Sequence, residues 1–211
     1  PLPSGFRYAE FNNLQSVKDI MDEYVCAILT EPVQGEGGVR PASQEFLQGL
    51  RDLCDEKGIL LMFDEVQVGS GRTGKLFAHQ NYGVEPDTCS MAKALGSGVP
   101  IGAVCARGEA AKTLTPGTHG STFGGNPVVC AGANVVVDRM DQSFLANVNE
   151  RAVQLRAGIA KLPHVKSISG IGLMVGIEFY DLKAADVLAA CREAGLLVLL
   201  SLIHISEPTR H

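Results

Sequence analysis

Asp64 closes the apolar run Ile59 to Phe63, and Lys93 stands 29 residues further on in the stretch Ser90-Met91-Ala92-Lys93-Ala94-Leu95-Gly96-Ser97-Gly98. A lysine amine can condense with an aldehyde and, once released, can carry a proton from one carbon to another. A carboxylate fixed at a strand end favours the protonated form of a ring nitrogen beside it. Pyridoxal chemistry needs both groups: the amine for the cofactor aldehyde, and the carboxylate for the pyridine nitrogen, whose charge makes the ring an electron sink. Taken alone, Asp64 reads as a cap of a following helix and Lys93 as a surface charge. Taken together, with glycine-rich loops that let backbone approach a ligand, they point to a pyridoxal site.

A second chemistry competes for the same region. Leu60-Leu61-Met62-Phe63-Asp64-Glu65 has the form of the acidic strand of a nucleotide hydrolase, and Gly69-Ser70-Gly71-Arg72-Thr73-Gly74-Lys75 matches the first seven positions of a phosphate-binding loop. At the eighth position, Leu76 replaces the hydroxyl that must hold magnesium, and no apolar strand feeds the loop. The loop also follows the acidic strand instead of preceding it. The same glycines form G-x-G-x-x-G, which fails on the same missing strand. A nucleotide-binding α/β module is therefore the alternative reading. A third cluster, His119-Gly120-Ser121-Thr122-Phe123-Gly124-Gly125-Asn126-Pro127, offers hydroxyls and backbone amides ahead of a helix. Such a loop can hold an anion, although the same residues describe any loop before a capped helix.

These groups need a frame. Ser43 followed by Phe46, Leu47, Leu50, Leu53 and Cys54 predicts a capped amphipathic helix that stops at Gly58. Val25 to Leu29 and Ile59 to Phe63 are short apolar runs of the buried parallel kind, so Val25 to Asp64 reads as a strand, helix, strand unit. A right-handed crossover sets both strand C-termini on one edge, where open α/β sheets bind ligands. Glu31 and Asp64 then share that edge. Further strands are expected at Thr88 to Met91 and Ile101 to Ala106. Helix is expected from Pro127 to about Leu162, with a break near Asp138 to Ser143. Val165 to Ser169 and Leu173 to Phe179 read as strands, and Ala184 to Ala194 as a helix ended by Gly195, a second and smaller α+β unit.

The net charge of -5 is scattered, so a nucleic-acid partner is not expected. The longest apolar stretch, Leu196 to Ile203, falls well short of the roughly 20 residues that span a bilayer. No charged-then-apolar leader is seen, and the expectation is a cytoplasmic protein without a membrane partner. The six cysteines lie singly and the five histidines far apart. The cysteines read as small buried hydrophobes in a reducing compartment, and no metal site is expected.

Four segments in order, Glu31-Pro32-Val33-Gln34-Gly35-Glu36-Gly37-Gly38, Phe63 to Pro86, Met91 to Ala103 and His119 to Pro127, closely resemble the class III (subgroup II) pyridoxal-phosphate-dependent aminotransferases. Within them, His119 to Thr122 and Val99-Pro100-Ile101-Gly102-Ala103 look most like the acetylornithine branch. The resemblance implies the fold-type I architecture: a large α/β domain with a mostly parallel sheet and a smaller C-terminal α+β domain. It implies pyridoxal 5'-phosphate as cofactor. Lys93 matches the lysine that condenses with it, Asp64 the partner of its ring nitrogen, Gln67 the contact to its ring hydroxyl and Val66 the residue on its ring face. Glu65 is counted in the same cofactor-binding segment. Thr122 matches a phosphate ligand that arrives from the other subunit, which implies a homodimer with shared sites, and Ser121 is its neighbour near the substrate. Glu36 matches an acid that pairs with a distal arginine, and Glu31 is expected at the pocket floor.

The implied reaction is transfer of the δ-amino group of N-acetylornithine to 2-oxoglutarate, a step of arginine biosynthesis. Succinylornithine, ornithine and 4-aminobutyrate are the alternative donors. The resemblance also implies that a first phosphate-binding loop, a ring-stacking aromatic and a carboxylate-binding arginine precede residue 1, and that the arginine partner of Glu36 follows the chain. A chain truncated at both ends, and inactive by itself, is the expectation. Residues 1–126 are then a partial cofactor-binding domain, 127–162 a helical connection, 163–200 a partial small domain and 201–211 a non-native tail.

Overall fold

The computed structural model describes residues 4–201. A short helix, α1 (Leu14–Asp19), begins at Asn13, whose side chain accepts from Ser16 N. Nothing in the periodicity foretells it, because six residues hold less than two turns. Strand β1 (Ala27–Thr30) follows, then β2 (Val33–Gln34) and β3 (Arg40–Pro41), which pair antiparallel around the turn at 35–39. Helix α2 (Gln44–Lys57) is punctuated as expected: Ser43 Oγ accepts from Phe46 N at 3.1 Å, and Gly58 closes it at φ +64°, a conformation that costs glycine nothing.

Strand β4 (Leu60–Asp64) returns parallel to β1, with Leu29 opposite Met62 and Thr30 opposite Phe63. Its inward residues Leu61 and Phe63 pack against Phe46, Leu47, Leu50, Leu53 and Cys54 of α2. Leu47, Leu50 and Leu61 are fully buried, each side chain contributing about 1.5–3 kcal/mol. The alternate positions face away from α2, and Leu29 is 60% exposed there. Strand β5 (Thr88–Met91) adds parallel to β4, and β6 (Ala103–Ala106) adds antiparallel to β5, giving a mostly parallel sheet in the order β1-β4-β5-β6.

Asn126 caps α3 (Pro127–Arg139) by accepting from Val129 N, with Pro127 at the first turn. The expected break falls at Met140, and Asp141 caps α4 (Gln142–Ile159) by accepting from Phe144 N. Strands β7 (Val165–Ile171) and β8 (Met174–Phe179) form an antiparallel hairpin, followed by α5 (Ala184–Glu193). The hairpin is docked on the rest: Leu173 N donates to Arg72 O at 3.0 Å, and Ile171 and Met174 pack against the buried cluster of Val33, Val68 and Ala78.

Two expectations need correction or a limit. The cysteines are not uniformly buried: Cys54 and Cys89 are, Cys130 and Cys191 are half-buried, and Cys26 and Cys105 are exposed. Cys105 stands on β6, all four of whose residues are exposed among the described residues. Of the tail expected to be non-native, Ser201 donates its hydroxyl to Glu36 O at 2.7 Å, and 202–211 lie outside the described residues. Among the described residues, no helix is long and apolar enough to cross a membrane.

Candidate active site

The strand register assembles the site. Thr30 lies opposite Phe63 and Asp64 opposite Ser90, so Glu31, Asp64 and the segment leading to Lys93 leave the sheet at the same edge. Glu65 N donates to Ser90 O at 2.9 Å and carries the β4–β5 ladder one step further. Asp64 Oδ1 accepts from Val66 N at 2.9 Å, which folds the chain back at the strand end. Among the described residues, Asp64 Oδ2 accepts no hydrogen bond. Lys93 starts a 3-10 turn, Lys93–Leu95, at φ +44°. That conformation costs a side-chain-bearing residue on the order of 1–3 kcal/mol. Packing of Met91 and Leu95 against Ala133 of α3 holds it. The Lys93 side chain is exposed and makes no hydrogen bond or ion pair among the described residues.

Glu31, Glu36 and Gln67 close on the same place from the turn beside β2. Glu31 Oε2 accepts from Gly35 N at 3.4 Å, and Gln67 Nε2 donates to Glu36 Oε1 at 3.1 Å. Burial pushes the Glu31 carboxyl above the ordinary carboxylate range. The Gly35 amide opposes that rise, Asp64 adds to it, Lys93 opposes it and Glu36 adds to it. Four of the residues singled out in the sequence therefore share one electrostatic neighbourhood. Gly35 permits the approach: a Cβ there would stand 2.1 Å from Gln67 Oε1 and 3.0 Å from Met174 Cε. Val66, half-buried, sits between Asp64 and Gln67 on the same turn.

Glu65 departs from the expectation of a ligand contact. It is 0% exposed. Its Oε2 accepts from Ala78 N at 2.6 Å, and its Oε1 accepts from His79 N at 2.8 Å and meets His79 Nδ1 at 2.9 Å. The carboxylate is engaged by the segment at 78–79 and anchors the Asp64–Gln67 turn from behind. His79, stacked on Phe77 at 5.5 Å, is the partner that sequence reasoning missed. Ligand atoms of Glu65, His79 and Cys89 converge within 4.8 Å, which their scattered positions in the chain give no sign of. The three bonds to Glu65 identify the group as a hydrogen-bonded anchor.

Ser121 and Thr122 are exposed and, among the described residues, make no hydrogen bond to Lys93, while Ser121 Oγ accepts from Gly124 N at 3.0 Å. The loop at 69–75 is also corrected: it is a packing element, not an open phosphate cradle. Gly69, Gly71 and Gly74 donate their amides to the carbonyls of Glu65, Leu76 and Gly71, and Thr73 is 1% exposed. Asn149 of α4 covers Gly74, donating to its carbonyl at 3.2 Å, and Gly172 of the hairpin lies against Arg72 and Thr73. That removes the ground for the nucleotide reading.

With this geometry, the chain can be set beside known proteins. Residues 7–205 match the family model described as class-III aminotransferase. The chain belongs to that family. Among curated relatives, it is 49% identical over 205 residues to the acetylornithine aminotransferase of Myxococcus xanthus and 45% identical over 203 residues to that of Methanocaldococcus jannaschii, covering 94% of this chain and 51% of each relative. The chain thus spans about half the length of the curated relatives it matches. Among solved structures, the N-acetylornithine aminotransferase of Stenotrophomonas maltophilia K279a superposes with a TM-score of 0.86 at 38% identity, over 95% of this chain and 55% of that one. The ornithine aminotransferase of Toxoplasma gondii, described with pyridoxal phosphate partially occupying its active site, gives 0.87 at 36% identity, over 96% and 50%.

Proposed function

We propose that this chain carries the lysine half of a pyridoxal-phosphate-dependent aminotransferase site, with N-acetylornithine as amino donor and 2-oxoglutarate as acceptor. The observation that supports it most is the register of β4 and β5, which puts the half-buried Asp64 beside the segment that ends in Lys93, a lysine without an ion-pair partner among the described residues. The donor set fits the ring end of the cofactor. Among the described residues Asp64 Oδ2 accepts no hydrogen bond and can accept one from a protonated ring nitrogen, Val66 can cover a ring face, and Gln67 can donate to a ring hydroxyl. Pyridoxal phosphate, when bound, supplies an aldehyde for the amine and a protonated ring that draws off an electron pair.

The chain's own residues do the rest. Asp64 holds its proton-bearing partner by charge. Lys93 Nζ, when not bonded to the cofactor, would hold and move a proton at the reacting carbon. Glu36, hydrogen-bonded to Gln67, supplies a negative charge at the mouth of the site, and Glu31 lines its floor. Thr122 serves the cofactor phosphate from the second subunit of a homodimer, in keeping with its exposure on the loop before α3. The preference for acetylornithine over succinylornithine, ornithine or 4-aminobutyrate rests on the curated relatives. Titration of the protein with pyridoxal phosphate, followed by absorbance, tests the site. A saturable band that disappears in Lys93→Ala and weakens in Asp64→Asn is expected. A band unchanged in Lys93→Ala overturns the proposal, and in a protein of the relatives' full length the band's response to each of the four donors separates them.

A further inference from the structure

Each of the two acids at the sheet edge is followed by a buried residue pinned to one short segment. After Asp64 comes Glu65, whose carboxylate accepts from Ala78 N, His79 N and the His79 ring. After Glu31 comes Pro32, fully buried, whose carbonyl accepts from the Tyr82 hydroxyl at 3.2 Å and from Ala42 N at 2.9 Å. The segment itself is a 3-10 turn, Ala78–Asn81, that is bonded at every step. Gln80 Oε1 accepts from Phe77 N at 3.1 Å, Tyr82 N donates to His79 O at 3.0 Å, and Asn81 Nδ2 donates to Ala78 O and to Thr73 Oγ1, both at 3.1 Å. Gln44 of α2 donates to Tyr82 O at 2.8 Å and ties the segment to the core helix. Successive side chains of an extended strand point to opposite faces. Fixing Glu65 inward, like the 1%-exposed Phe63, therefore sets the direction in which Asp64 leaves on the other face.

We propose that residues 77–82 are a brace that sets the spacing and direction of Glu31 and Asp64, with His79 and Tyr82 as positioning residues of the site. What the two acids meet rests on the pyridoxal reading above; that one segment holds both does not. His79 acts on Asp64 through Glu65, and Tyr82 acts on Glu31 through Pro32. Burial, with Glu65 adding to it, pushes the Tyr82 hydroxyl up to about 12, so it remains a donor at neutral pH. Pro32 O keeps Ala42 N as a partner when that hydroxyl is lost, so Tyr82→Phe cuts the tie without stranding a buried acceptor. His79→Leu likewise removes the ring bond and leaves both backbone bonds to Glu65.

Two amides report on the acids in the cofactor-free chain: Gly35 N, which donates to Glu31 at 3.4 Å, and Val66 N, which donates to Asp64 at 2.9 Å. Their hydrogen exchange, resolved by NMR, is compared in wild type, His79→Leu, His79→Asn and Tyr82→Phe. His79→Leu and Tyr82→Phe should each speed exchange at both amides, by about 3–10-fold at the nearer one, the equivalent of one hydrogen bond. His79→Asn returns a donor to Glu65 and should restore the wild-type rates. Pyridoxal phosphate affinity, read by absorbance titration, should fall in the same two proteins and recover in His79→Asn. Exchange that changes only at the acid beside each substitution makes these two separate contacts and overturns the brace, as do unchanged rates at both. A loss of urea stability with wild-type exchange and wild-type affinity overturns it too. If wild type itself gives no band that depends on Lys93, the pyridoxal reading fails, and the exchange rates decide the brace without it. Should His79→Leu fold poorly, Tyr82→Phe decides alone.

Discussion

Replacing Glu65 tests whether the site's backbone is held from behind. Its carboxylate accepts three hydrogen bonds, from Ala78 N, His79 N and the His79 ring, with no exposure to solvent. In Glu65→Gln, the carbonyl oxygen can keep the two bonds at the Oε1 position, and the amide nitrogen then faces Ala78 N. The Ala78 N–H and the amide N–H groups then face each other with no acceptor between them, at a cost of about 1–3 kcal/mol for each unsatisfied group. Glu65→Ala removes all three bonds and leaves two backbone donors without their partner, each costing about 1–3 kcal/mol. Urea unfolding followed by far-ultraviolet circular dichroism should order the proteins wild type, Glu65→Gln, Glu65→Ala, since Glu65→Ala keeps none of the three bonds. A Glu65→Ala protein within about 0.5 kcal/mol of wild type would refute the anchor, since that is the range of a surface change.

Gly35→Ala should act on the site more than on the fold. The atom its Cβ meets is the end of the flexible Gln67 side chain, so the rotamer strain is about 0.5–1.5 kcal/mol. Pyridoxal phosphate affinity, read by absorbance titration, should fall about 3–10-fold, the equivalent of one hydrogen bond. Leu50→Ala, at a fully buried position of α2, should destabilise by about 2–5 kcal/mol in the same urea assay. Burial works to raise the Asp87 carboxyl, but the Leu61 amide and the Arg51 guanidinium outweigh it and hold the group below the ordinary aspartate value. Its contribution is thus complete above about pH 3.9 and is lost as pH falls through the lower folded value. Thermal melts of Asp87→Asn between neutral and acid pH should show a shallower loss over that window.

Much of the frame was legible in local signals. α2 carries its own start and stop in Ser43 and Gly58, and the apolar runs of β1 and β4 read as parallel strands, which puts Glu31 and Asp64 at one edge, although no residue of β1 is fully buried. What escaped depends on contacts between distant segments. β2 and β3 are two residues each and exist only because the 35–39 turn folds back. The role of Glu65 is set by the return of Ala78 and His79, and nothing at Glu65 itself distinguishes an acid facing a ligand from one facing backbone amides. The phosphate-loop match at 69–75 fails in the sequence at Leu76, but what its glycines do instead, letting α4 and the β7–β8 hairpin come close, depends on segments far along the chain. Apolar neighbours in sequence suggest buried cysteines, but they do not fix the burial of Cys26 and Cys105, which tertiary packing decides.

The central claim is that Lys93, set beside Asp64 by the β4–β5 register, is the amine that receives pyridoxal phosphate. Borohydride reduction of the protein with its cofactor, followed by peptide mass mapping, reads that amine directly. The account predicts the label on Lys93 and its loss in Lys93→Ala. Label on Lys75, or spread over the exposed lysines with Lys93 unmodified, would contradict it.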